Sequence, residues 1–123
     1  MRPFAHPSAD HVTLEGILLA LSDPERMAIY ACLENAAAAQ SCANFQRINQ
    51  RTVPKSTLSQ HFRVLREAGL IRSERHGVEM LNTSRRAEID KRFPGLLDTI
   101  MAAYSRQSGK ATAGAKRGRR SRA

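Results

Sequence analysis

The hydrophobic period of this chain changes abruptly at Gly69, and few architectures accommodate that change. In STLSQHFRVLREAGL, residues 56–70, the apolar side chains Leu58, Phe62 and Leu65 fall within about 60° of one another on a helical projection. Ser56, Gln60, Arg63 and Glu67 lie opposite them, with Ser59 and Arg66 on one flank and Thr57 on the other. Gly69 suits the left-handed position that ends a helix. The following LIRSERHGVEMLN reads as two short strands joined at His76-Gly77. Ile71 stands on one arm and Val78 and Met80 on the other, while Arg72 and Arg75 supply charge. An amphipathic helix that runs straight into a basic hairpin needs further helices to cover its apolar row.

The rest of the chain supplies them. VTLEGILLAL places Leu14, Ile17, Leu18 and Leu21 on a broad apolar stripe. LSDPERMAIYACLENAAAA opens on a helix start that reads two ways. Ser22 with Glu25 fits a capping box, and Asp23 before Pro24 fits a cap with proline at the first helical position. Met27, Tyr30, Leu33 and Ala37 then share a face. CANFQRINQ fits a short third helix with Phe45 and Ile48 inward, broken by QRTVP. After Ser84, RRAEIDKRFPGLLDTIMAAY returns to helical spacing; Pro94 and Gly95 predict a kink or break ahead of a stripe of Leu96, Leu97, Ile100, Met101 and Tyr104. The expected fold is mainly α (α+β), with five or six helices and a two-stranded hairpin.

A length of 123 residues and 41% hydrophobic content fit one domain with a modest core. The absence of Trp and scarcity of aromatics suit packed helices better than a sandwich. No apolar run is long enough to span a bilayer, and MRPFAHPSADH lacks the apolar stretch of a signal peptide. A soluble, cytoplasmic protein without a membrane partner is therefore expected. Its net charge is +9, unevenly spread. Residues 105–123 hold seven basic side chains and no acid, residues 45–76 seven basic and two acidic, and residues 1–44 two basic and five acidic. A polyanion is the natural partner for such a distribution. Residues 1–10 are expected to be a flexible N-terminus, 11–105 the folded domain, and 106–123 a disordered basic tail, whose bland role would be to keep the chain in solution.

Helix, helix, short helix, patterned helix, basic hairpin and last helix is the winged helix-turn-helix order. The residues LSDPERMAIYACL and STLSQHFRVLREAGLIRSERHG resemble the ArsR-type family of bacterial transcriptional regulators, over Leu14 to Tyr104. The likeness rests on the Asp-Pro-x-Arg helix start (Asp23 to Arg26), the Ser-x-His-x-x-x-Leu-Arg-x-Ala-Gly-Leu run (Ser59 to Leu70) and the Arg-x-Gly wing (Arg75 to Gly77). It implies that the patterned helix enters the DNA major groove and puts Lys55, Ser56, Thr57, Ser59, Gln60, His61 and Arg63 at or near DNA, with Arg75 on a wing along the backbone or minor groove.

Chemistry agrees with most of that list. Gln and Arg make paired hydrogen bonds to adenine and guanine edges, and Ser and Thr are short enough to reach phosphates at close approach. A merely solvated face would carry more Glu and Lys, because hydroxyl residues weaken helices. His61 sits near the core edge, where it either supports Phe62 or donates to a phosphate. The resemblance further implies a homodimer through the first and last helices, with Leu14, Ile17, Leu18, Leu21, Leu96, Leu97, Ile100, Met101 and Tyr104 at the two-fold axis. The plainer alternative folds both stripes back on one monomer.

Family members often sense metals, but the Cys-x-Cys pattern of the third helix and the carboxylate and histidine cluster of the last helix are both missing, so no metal and no cofactor is expected. Cys32 and Cys42 could pair as a thiol switch; Cys32, beside Leu33, better suits a buried small hydrophobe. No phosphate-cradling glycine loop, carboxylate pair or nucleophile constellation supports an enzyme. The expected function is sequence-specific DNA-binding regulation, as a homodimeric repressor at an inverted repeat with an effector unknown. The RGRRSR tail supports a different reading, a structural nucleic-acid binder with little sequence preference.

Overall fold

Two helices, a short irregular segment and the patterned helix build the core, and a small sheet closes one end. A computed structural model describes residues 6–36, 40–45, 47–48 and 51–109, with the backbone alone for 41–43. Helix α1 spans Leu14–Leu21 and α2 spans Pro24–Asn35. Strand β1 (Gln40–Ser41), a 3-10 turn at Cys42–Phe45, and the strand pair β2 (Arg47–Ile48) and β3 (Arg51–Thr52) lead into α3, Lys55–Glu67. The hairpin follows as β4 (Ile71–His76) and β5 (Glu79–Ser84), then α4 (Arg86–Arg92) and α5 (Leu96–Ser108).

The capping choice at the second helix is resolved by hydrogen bonds. Asp23 Oδ1 accepts from the Glu25 and Arg26 amides at 2.8 and 3.1 Å, with Pro24 inside the first turn, whereas the Ser22 hydroxyl turns back to the Leu19 carbonyl. Arg26 serves the preceding helix: its Nε donates to the Ala20 carbonyl at 2.7 Å, one of the acceptors that α1 leaves open at its end. The Asp-Pro-x-Arg run thus caps one helix and closes another.

The core includes Ile17, Ile29, Tyr30, Leu33, Phe45, Leu58, Phe62 and Leu65. Met27 is buried as expected; Ala37 lies outside the described residues. The third helix read from CANFQRINQ is not an α-helix. Phe45 and Ile48 do point inward, but through a 3-10 turn and the β2–β3 ladder, in which Ile48 pairs with Arg51. Alternation over four residues and one helical turn look alike in so short a piece.

Gly69 has φ +86°, and a Cβ there would overlap Cγ2 of Val12. The hairpin turns at Gly77-Val78, one residue later than read, because His76 pairs with Glu79; Val78 therefore sits exposed at the tip rather than on an arm. The sheet also has a third strand, in the order β1-β5-β4. It is tied by Asn82, whose Nδ2 donates to the Gln40 carbonyl at 3.1 Å. The predicted break falls at Phe93–Gly95, where Gly95 adopts φ +84° ahead of α5. Helix α5 runs past residue 105 to Ser108, a polar last turn that hydrophobic spacing could not reveal. Near the start of the chain, His6 Nε2 accepts the Ser73 amide at 3.0 Å, and buried Arg85 donates to the Pro7 carbonyl at 2.9 Å. Among the described residues no helix is long and apolar enough to cross a membrane.

Candidate nucleic-acid interface

Helix α3 buries Leu58, Phe62 and Leu65 and turns Lys55, Ser56, Ser59, Gln60 and Arg63 to the exterior, with Thr57 half-buried. Its first turn follows Pro54 and carries no side-chain cap, so its opening N–H groups face outward with the positive end of the helix dipole. Arg63 Nε lies 3.4 Å from Glu67 Oε2. That exposed pair is weak enough to exchange for a stronger acceptor. The outward set is short and polar near the start of the helix and long and cationic one turn later, a shape that lets the backbone approach a groove while Arg63 reaches into it.

His61 belongs to the other side. It is 6% exposed, and its Nε2 donates to Glu25 Oε1 at 2.8 Å. Arg51 of β3 donates to the second oxygen of the same carboxylate. The Arg51 hydrogen bond, then that of His61, hold the Glu25 carboxyl below its ordinary range. The His61 ring is therefore an anchor to α2, buried rather than on the exposed face with Ser59 and Gln60. Asp23, Glu25 and His61 bring three ligand-type atoms within 4.8 Å of one another. Asp23 Oδ1 caps α2, and the Glu25 carboxylate accepts from Arg51 and His61. His61 Nδ1 is buried with no partner among the described residues.

The wing is fixed to the same helix by polar contacts inside the sheet. Arg66 Nη1 donates to Ser73 Oγ at 3.3 Å, and that hydroxyl donates to Asn82 Oδ1 at 2.7 Å. Ser73 and Asn82 are buried, where an unmade bond would be costly. Arg66, which the sequence put on the flank of the polar face, thus joins the helix to the hairpin. Arg75 is exposed on β4 opposite Met80, two residues short of the tip. A second network links α2 to the wing root: Tyr30 donates to Glu34 at 2.5 Å, lies 2.8 Å from Ser84 Oγ, and Arg86 reaches Glu34 at 2.7 Å. Burial first, then the neighbouring carboxylate, push the Tyr30 hydroxyl far up, so it stays a donor.

The model of a helix-turn-helix domain matches residues 21–74, the stretch from the end of α1 into the wing. A solved ArsR-like transcriptional regulator from Rhodococcus sp. RHA1 is 26% identical, over 83% of this chain and 92% of that one, with a TM-score of 0.53. The chain shares the winged helix-turn-helix fold of that regulator. None of the curated proteins matches the sequence.

Within this winged helix-turn-helix fold the expected dimer residues separate into two groups. Ile17, Leu21 and Leu97 are buried in their own chain, and Leu96, Ile100, Met101 and Tyr104 are half-buried against it. A helix only eight residues long must use its stripe for its own core first, which the sequence could not apportion. Leu14 and Leu18 are exposed, together with Leu19, which the stripe omitted because it lies one position beyond the strict spacing. Cys32 is a free, exposed thiol rather than a buried one, since α2 packs through Ile29, Tyr30 and Leu33. The Cys42 side chain lies outside the described residues, as does the basic tail from residue 110.

Proposed function

We propose that this chain is an ArsR-type, sequence-specific transcriptional regulator that binds double-stranded DNA as a homodimer and represses at an inverted repeat. One observation carries the reading: the exposed row Ser56, Ser59, Gln60 and Arg63 stands on a helix anchored to α2 through His61 and to the hairpin through Arg66. A reading surface needs side chains free on one face and a backbone held on the other. Gln60 and Arg63 supply base-edge contacts, Lys55, Ser56, Thr57 and Ser59 phosphate contacts, and Arg75 on the hairpin a backbone or minor-groove contact.

Exposed Leu14, Leu18 and Leu19 support pairing with a second copy. Two-fold pairing would set two α3 helices facing successive major grooves, about 34 Å apart. Selection from a random duplex pool tests the whole reading. The expected product is one inverted repeat preferred over random duplex by about 10³-fold or more. Recovery of no preferred sequence, with steep salt dependence, would instead support a structural nucleic-acid binder.

A further inference from the structure

We propose, on the regulator reading above, that Arg51 of β3 is a phosphate contact of the bound duplex, tying the nucleic-acid backbone to the carboxylate that anchors α3. Arg51 stands four residues ahead of Lys55, where α3 begins. Four residues of chain span at most about 14 Å, and the major groove is about 12 Å wide. With the first turn of α3 in that groove, a long side chain so close to it reaches a groove wall, where the phosphates stand.

Charge and exposure order the groups around Arg51. Two carboxylates, Asp23 and Glu25, lie beside it at the start of α2. The Arg51 side chain is 58% exposed, against 14% for Glu25 and 35% for Asp23. The cation is thus the outermost member, while Asp23 Oδ1 turns back to cap its helix. A polyanion arriving there meets the guanidinium before the two acids, which alone would repel it.

The guanidinium keeps suitable donors open. It holds five N–H groups in a rigid fork that fits carboxylate and phosphate alike. Glu25 Oε2 accepts from Nε. Among the described residues the terminal Nη1 and Nη2 have no hydrogen-bond acceptor, and that pair matches two oxygens of one phosphate. The bond to Glu25 also fixes a flexible side chain in advance, so that less of its freedom has to be removed on binding.

An isolated surface ion pair would count for little. This one differs because the other Glu25 oxygen accepts from buried His61 of α3 at 2.8 Å. One carboxylate therefore joins the outward fork to the helix, and a phosphate held there sets where along the groove Gln60 and Arg63 arrive.

The test replaces single phosphates of the selected duplex by uncharged methylphosphonates and titrates each duplex with the full chain. One position flanking each half-site should cost the wild type at least about fivefold in affinity and cost Arg51→Ala less than about twofold. Arg51→Gln should match Arg51→Ala, although its amide can still donate to Glu25; that agreement separates a lost phosphate contact from a loosened anchor. On random duplex both variants should reduce the slope of log affinity against log salt by about 0.9 per bound chain, and Arg51→Lys should keep it. Methylphosphonates that cost the wild type and both variants alike, with equal salt slopes, would overturn the contact and leave the regulator reading in place. Failure to select any duplex would overturn that reading, while the slopes on random duplex still decide the contact.

Discussion

Arg63 and Gln60 carry the sharpest residue-level expectation. Replacing either with Ala should cost specific duplex binding about 1–3 kcal/mol and relax base preference at one position per half-site, measured by competition among single-base operator variants. Glu25 tests the other side of the same helix. Its carboxyl is held below the ordinary value of 4.5 by Arg51 first and His61 second, so it favours the folded state at pH values above that number and stops doing so as pH falls through its own lower value. The thermal midpoint of Glu25→Gln should lie below the wild type at pH 7, and the gap should close below pH 4.5. A gap that widens on acidification would mean that Glu25 is not the anchor described. His61 shows why such an anchor escapes the sequence. Its helical angle lies on the boundary between faces, and its partner stands 36 positions away, at a distance no periodicity encodes.

At the scale of elements, local rules were legible wherever one residue's chemistry decides the backbone. Asp23, Pro24, Gly69 and Gly95 marked their boundaries correctly because capping and left-handed geometry are properties of single residues. Asp23→Ala should accordingly lower unfolding stability by about 0.5–2 kcal/mol in urea titrations. The two wing glycines separate backbone preference from crowding. Gly77→Ala carries only the left-handed penalty, about 1–2 kcal/mol, because nothing lies near its missing Cβ. Gly69→Ala should cost distinctly more, since the new methyl meets Val12. Equal midpoints for the two variants would show that the chain yields at Val12. The third helix and strand β1 were not legible for the opposite reason: two-residue strands exist only through partners such as Asn82, far off in the chain.

The molecule as a whole is where sequence patterns say least, because a stripe does not reveal whether it meets its own core or another copy. Burial divides them and leaves Leu18 as the cleanest probe. Leu18→Glu should keep the circular dichroism spectrum, shift the sedimentation coefficient toward a monomer, and abolish the preference for a paired half-site over a single one. Deleting residues 110–123 should weaken binding to every duplex and reduce the slope of log affinity against log salt, with the ranking of sequences preserved.

The polar knot at the wing also bears on how such molecules behave when crowded. Strand β4 forms one side of the sheet, and a strand in that position is a template on which foreign chains can polymerise. Here the Ser73 amide that faces outward is already taken by His6, and Arg72, Glu74 and His76 alternate charge and imidazole along the same strand. The exposed side of the hairpin is thereby closed to strand addition at Ser73 and charged on either side of it.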